Sequence, residues 1–297
     1  LGLKRIQPSI IHIETDPFHP LFIQMYLYKL IFCSNAKLVC TVKQNTYTSR
    51  NFFFDKLKDF ITRFLSKKVD FFICVNKGVR DLYCKRFYVN NNKLMLSTHL
   101  GVDTEHFKYS YNSLDNETLV VGYVGRLIDY KGVKELIYAL EEINSSGVNL
   151  KLNLLGQGPL KQELLSKSKK YDWLTIFEPV PHREVIGFLK KLDIFIMPSR
   201  VLDNHEEHDS HALMEAMATG IPSITTKSGS NIEVLGGAGI LIDPGKPKEL
   251  IISIKKLINN AKLRKKLSLL ARDRIVKEYS IQSVASNNNI IYQKLND

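Results

Sequence analysis

The chain has 297 residues, 44% of them hydrophobic, and 42 Lys+Arg against 30 Asp+Glu give a formal net charge of +12. That length is long for one domain and comfortable for two. No run reaches the roughly 18 apolar residues of a membrane span and no signal peptide is legible, so a cytoplasmic protein is expected.

The charge admits nucleic acid, an anionic membrane surface or a phosphorylated substrate as partner. Cys33, Cys40, Cys74 and Cys84 form no Cys-x-x-Cys pair and read as reduced thiols. Residues 9–14 read as a strand, 20–32 as an apolar helix and 37–42 as a second strand. A helix over 51–68 carries Phe53, Phe54, Leu57, Phe60, Ile61, Phe64 and Leu65 on one stripe, with Lys56, Lys58, Arg63, Lys67 and Lys68 beside it. The stripe reads either as a core face or as a surface for an anionic membrane leaflet, since residues 1–118 hold 17 Lys+Arg and 10 Asp+Glu. A strand over 70–75, a helix over 77–87 and a strand over 93–97 complete this block. Alternating strands and helices imply a parallel sheet covered on both faces.

The polar run 109–117 reads as a linker, closing a first domain at residue 117. Strands follow over 119–124, 150–155, 174–177, 194–197 and 222–225, with helices over 133–143, 160–166 and 183–191 and a helical tail from Pro247. Two doubly wound domains result, the second over residues 118–278, and ligands of such sheets bind at the carboxyl ends of the strands.

Several short loops fall at those ends. Gly125-Arg126 follows one strand, Lys131-Gly132 opens the next helix, and Gly156-Gln-Gly-Pro159 follows the second strand. An arginine and a lysine aimed at a helix N-terminus would neutralise a diphosphate, although each alone also fits an ordinary surface cation. The central stretch runs from Glu207 to Gly220. Ser210 is placed as N-cap, Ala212 to Ala218 favour helix, and Gly220 suits a left-handed helix end. An eight-residue helical interval between Glu207 and Glu215 would span roughly 12 Å, comparable to the reach of a nucleotide diphosphate sugar from hexose to ribose. One carboxylate could then hold sugar hydroxyls and the other ribose hydroxyls; the alternative is a solvated acidic loop and helix. His205, His208 and His211 beside Glu206 and Asp209 also suggest a metal cluster, but the spacing of a zinc-protease helix is not met. No nucleic-acid-binding motif accompanies the charge, and none is expected as partner.

Taken together, Gly101-Val-Asp-Thr-Glu-His-Phe107, Val124-Gly-Arg-Leu-Ile-Asp-Tyr-Lys-Gly132, Leu155-Gly-Gln-Gly-Pro159, Met197-Pro-Ser199, Glu207 with Glu215-Ala-Met-Ala-Thr-Gly-Ile-Pro222, and Gly239-Ile-Leu-Ile-Asp-Pro244 resemble retaining glycosyltransferase family 4, of the GT-B fold. The resemblance covers roughly residues 95–290. It implies an α/β protein with two Rossmann-like domains facing a cleft, closed by a terminal helix over 279–297 that crosses back to the N-terminal domain. It implies transfer of a hexose from a nucleotide diphosphate sugar, without a metal, to a glycan or lipid-linked acceptor with retention at the anomeric carbon; peripheral contact with the inner membrane surface is expected from the basic first block and its Phe-rich stripe instead. Arg126 and Lys131 would bind the diphosphate, Glu207 the sugar and Glu215 the ribose. Gly125, Gly156, Ser210, His211 and Ala212 would line the donor, and the backbone near Val180 would meet the base.

The sequence departs from the family in three places. His208-Asp209-Ser210 stand where Gly-aromatic-Gly is common. Thr41-Val-Lys-Gln-Asn45 stand where a histidine is frequent, which places Lys43 or Gln44 near the reacting centre. The glycine-rich loop that usually precedes these units does not appear. The resemblance therefore implies a truncated N-terminal domain, and a chain that binds nucleotide but transfers sugar poorly alone. A non-catalytic subunit of the same fold is the alternative.

Overall fold

Short, nearly unbroken apolar runs build both sheets, as sheets covered on two faces require. The computed structural model describes residues 6–43, 52–98, 100–111, 118–202, 206–207 and 210–296, and the chain divides into two units, Leu1–Gly101 with Ile281–Asp297, and Val102–Ser280.

In the first unit, β1 (Ile10–Ile13), β2 (Lys37–Val42), β3 (Phe71–Cys74) and β4 (Leu94–Leu96) are parallel and lie in chain order. Their connections are α1 (Pro20–Phe32), α2 (Phe52–Ser66) and α3 (Lys77–Lys85). Since the chain always steps the same way and such crossovers are right-handed, these helices share one face of the sheet. Side chains alternate accordingly. Ile11, Leu38, Cys40, Phe72 and Cys74 pack with Phe22, Leu65, Val79 and Tyr83 of the helices. Val39 and Ile73 point the other way and pack on Ile291 of the terminal helix (Ile281–Asn296). On that side the His12 ring bonds Tyr292 Oη at 2.6 Å through Nδ1 and Thr41 Oγ1 at 2.7 Å through Nε2. Burial lowers the His12 pKa, which favours the neutral ring.

The stripe on α2 divides. Leu65 packs inward, whereas Phe54, Leu57, Phe60 and Phe64 are exposed. The inward side takes Thr62 and Ser66 instead. Among the described residues no helix is long and apolar enough to cross a membrane.

The second unit comprises β5 (Leu119–Val124), α4 (Val133–Ser145), β6 (Leu150–Leu155), α5 (Lys161–Ser168), β7 (Leu174–Phe177), α6 (Val185–Leu189), β8 (Ile194–Met197), α7 (His211–Ala218), β9 (Ser223–Thr226), α8 (Asn231–Leu235), β10 (Ile240–Ile242), α9 (Pro247–Ile258) and α10 (Ala261–Arg274). The strands are parallel in the order β10-β9-β8-β5-β6-β7. From β5 the chain builds outward to β7, then returns to the far side of β5 and builds outward again. Adjacent connections diverge between β5 and β8, and this reversal opens a crevice at the carboxyl ends of those strands.

The boundary between the units is not the one placed at residue 117. Val102 and Phe107, 3% and 1% exposed, belong to the core that holds Phe188, Leu213 and Ala271. Arg272 fixes the same segment, donating to the carbonyls of Thr104 at 3.1 Å and Phe107 at 2.8 Å. Apolar anchors, not the start of polarity, set the division. At the other end it falls at Ser280 instead of residue 278, where Val102 forms a bridge to Ser280.

Candidate active site

The crevice between β5 and β8 is lined by loops that the sequence ties down one bond at a time. At the end of β5, the buried Tyr123 donates from Oη to the Arg126 carbonyl at 2.8 Å, and burial pushes its phenol pKa up, so it remains a neutral donor. Gly125 N–H donates to Leu155 O at 3.0 Å and Leu127 N–H to Gln157 O at 2.8 Å, so the loops after β5 and β6 lie back to back. Gly156 makes this approach possible: its φ is +154°, and a Cβ there would stand 1.9 Å from the Gly125 carbonyl oxygen. Arg126 is exposed above these loops. Its guanidinium donates to the Tyr130 hydroxyl and lies 5.7 Å from the Tyr130 ring centre.

Lys131 follows in a 3-10 turn, its ammonium 5.9 Å from the same ring, so two cations flank Tyr130. The ammonium bonds Glu207 Oε1, which also accepts from Ser199 Oγ at 2.6 Å. Glu207 is 3% exposed. Its backbone is held too, N–H donating to Ser228 Oγ at 3.2 Å and the carbonyl accepting from Ser230 N–H at 2.8 Å. Gly229, at φ +48°, allows the β9–α8 turn to close on this segment, because a Cβ there would lie 1.9 Å from the Glu207 carbonyl oxygen. A carboxylate fixed at both its backbone and its side chain is a preorganised hydrogen-bond acceptor.

Ser210 stands at the head of α7, but its hydroxyl does not cap the helix as its position suggested. It donates to Asn231 Oδ1 at 2.6 Å and meets Ser230 Oγ at 2.8 Å. The side chain thus ties α7 to α8, and the first-turn N–H groups at His211 and Ala212 receive no bond from it. Gly220 ends the helix at φ +82°, as expected of a left-handed close.

Glu215, one turn into α7, is 5% exposed, and its Oε1 bonds His182 Nε2 at 2.6 Å. The His182 ring is largely exposed and tilts against Phe107, 5.7 Å away. Val180, also exposed, lies two residues before it in the loop after β7. Sequence reasoning passed over His182; the available signal was its place in a proline-bounded loop at the carboxyl end of a strand. Lys43 lies at the end of β2, 3.8 Å from Glu14. Gln44, and His205, His208 and Asp209 of the suggested metal cluster, lie outside the described residues.

Burial raises the Glu215 carboxyl pKa above its usual 4.5, with the histidines His182, His211 and His106 offsetting part of the shift. A raised carboxyl pKa contributes stability that is complete below the unfolded value and is lost as pH rises through the folded one. Glu215→Gln is therefore expected to gain thermal stability relative to wild type as pH is taken from 4.5 toward neutrality. Melting curves across that range check it, and a variant that loses ground as pH rises would contradict the burial argument.

A doubly wound sheet with a lysine–carboxylate contact and an exposed arginine at its switch point defines a domain of the Rossmann-like class. The family model described as Glycosyl transferases group 1 matches residues 107–274, and the chain belongs to that family. The capsular polysaccharide biosynthesis glycosyltransferase CapM of Staphylococcus aureus is 30% identical over 206 residues, which cover 67% of this chain and 49% of CapM. Two solved structures share the fold. A glycosyltransferase from Rickettsia africae ESF-5 has a TM-score of 0.79 at 18% identity, covering 99% of this chain and 78% of that one. Anabaena Alr3699/HepE in complex with UDP has a TM-score of 0.80 at 16% identity, covering 99% and 80%. The fold is GT-B, and the chain spans about half the length of the curated relatives it matches.

Proposed function

We propose that this chain carries the donor-binding part of an enzyme that transfers a hexose from a nucleotide diphosphate sugar, with retention at the anomeric carbon, to a glycan or lipid-linked acceptor at the inner membrane surface, and that its turnover alone is weak. The observation that carries the reading is the buried Glu207, held by Lys131 and Ser199 at the switch point of the second sheet. CapM is named for capsular polysaccharide biosynthesis and HepE is seen with UDP, which supports a nucleotide-linked donor and a glycan product.

In this reaction the bond from the anomeric carbon to the diphosphate oxygen breaks as the acceptor oxygen bonds to that carbon from the same side, and the acceptor proton leaves with the diphosphate. Charge develops on the leaving group, so its stabilisation is the main catalytic demand. Arg126 supplies an exposed guanidinium, Lys131 an ammonium, and the first turn of α7 its N–H groups. Glu207 accepts hydrogen bonds from the sugar hydroxyls and orients the ring. Glu215 accepts from the ribose, with the backbone near Val180 against the base. The residues in these roles supply the charge a metal would supply, so the reaction proceeds without one.

A thermal-shift panel of nucleotide diphosphate sugars, followed by NMR of the product linkage in buffer containing EDTA, tests the proposal. One donor at a hundredfold excess over its Kd is expected to stabilise the second unit by roughly 2.7 kcal/mol. The new linkage should keep the donor's anomeric configuration. A panel in which no nucleotide sugar shifts the melting temperature would remove the basis of the reading, and an inverted product would remove the retaining mechanism.

A further inference from the structure

We infer that the outer face of α1 and α2 is a docking surface for an anionic lipid leaflet. On α2, Phe54, Leu57, Phe60 and Phe64 are between 45% and 69% exposed. The other exposed positions over residues 54–68 are all lysine or arginine. The two acids of the helix turn away from that surface: Asp55 and Asp59 are half-buried, and Asp59 accepts from Arg86 Nε and Nη2 at 2.8–3.0 Å. Cations border the rings closely, with Lys68 Nζ 5.6 Å from the Phe64 ring centre and the Arg63 guanidinium 4.4 Å from that of Tyr88.

Helix α1 extends the surface. Leu21, Leu27, Leu30 and Ile31 are 48–70% exposed. Its one charged residue, Lys29, donates to the Ser34 carbonyl at 2.9 Å. A helix this apolar is normally covered on all sides. The two helices share a face of the sheet, and Lys58 Nζ of α2 sits 5.5 Å from the ring of Phe18, just before α1, so the two exposed strips adjoin. A contiguous apolar patch of this kind marks an interaction surface.

Charge selects the occupant. A second copy of the chain packed on the same patch by a two-fold axis would set cations against cations. An anionic leaflet offers headgroups to the lysines and arginines and an acyl boundary to the phenylalanines and leucines, the combination that interfacial helices use. This places the membrane contact of the functional reading on a particular surface, but it does not require the transfer reaction, and its test uses neither donor nor acceptor.

Co-sedimentation of the full chain with phosphatidylcholine vesicles, with and without phosphatidylglycerol, is the measurement. Binding is expected only with the anionic lipid, to weaken with added salt, and to fall about fivefold for each cation removed, as in Lys67→Gln. Phe60→Ser with Phe64→Ser should reduce it by about tenfold or more. Both rings are more than half exposed, so an unchanged melting temperature shows that the fold survives. Equal binding to neutral vesicles, or binding indifferent to these substitutions, overturns the inference. So does a dimer in analytical ultracentrifugation that Phe60→Asp dissolves, because the patch would then belong to a second copy.

Discussion

Lys131→Met is expected to lower the melting temperature of the second unit by roughly 10 °C, since breaking a buried ion pair costs about 3–5 kcal/mol and a unit of this size loses about 2–4 °C per kcal/mol. The Lys131 side chain is 19% exposed and that of Glu207 3%, so the carboxylate left behind would have Ser199 as its side-chain partner and little access to water. Removing the second charge should restore much of the loss. Lys131→Met with Glu207→Gln is expected to melt within a few degrees of wild type, because replacing both members of a buried pair is far less costly than removing one. A single variant as stable as wild type would show that the pair is not desolvated. Sugar transfer should be lost in both variants, and the double variant separates a catalytic loss from a structural one.

Arg126→Ala is expected to behave in the opposite way. The guanidinium is exposed and bonds only the nearby Tyr130 hydroxyl among the described contacts, so its removal should leave the melting temperature within about a degree. Donor affinity should nonetheless fall by about 1.5–3 kcal/mol, or roughly 10- to 150-fold, for one charge-assisted contact to the diphosphate. Titration calorimetry with the nucleoside diphosphate reads this directly. Arg126→Lys should recover part of the affinity, since a point charge replaces a bidentate fork. Wild-type affinity in Arg126→Ala would remove Arg126 from the site.

Legibility in the sequence followed the range of the forces involved. Strands β5, β6, β7 and β8 were readable to the residue, β5 and β8 as near-continuous apolar runs and β6 and β7 by apolar residues recurring at every second position. Gly220 was readable because a left-handed helix end is a property of one residue. Strand β10 and helix α8 were not anticipated: three and five residues carry too little periodicity. The partner of Ser210 was hidden for another reason, since Ser230 and Asn231 lie 20 and 21 positions along the chain and only the packing of α8 on α7 brings them near. The same holds for His182 and Glu215, 33 positions apart. The α2 stripe shows the limit of periodicity itself: it located the apolar side of the helix but not which part of it faces the sheet.

The terminal helix that covers the second face of the first sheet gives this protein an unusual order of assembly. Its contacts with that sheet span most of the chain: His12 and Tyr292 are 280 residues apart. The whole of Val102–Ser280 is synthesised between β4 and the helix that completes their unit. The second unit, continuous in sequence, has all its strands available as soon as it is made. The first does not, and Val39 and Ile73 stay uncovered until the last turns of Ile281–Asn296 emerge. A long loop must then close to bring the helix home, so the first unit completes its core after the second, although its strands β1–β4 are made before those of the second.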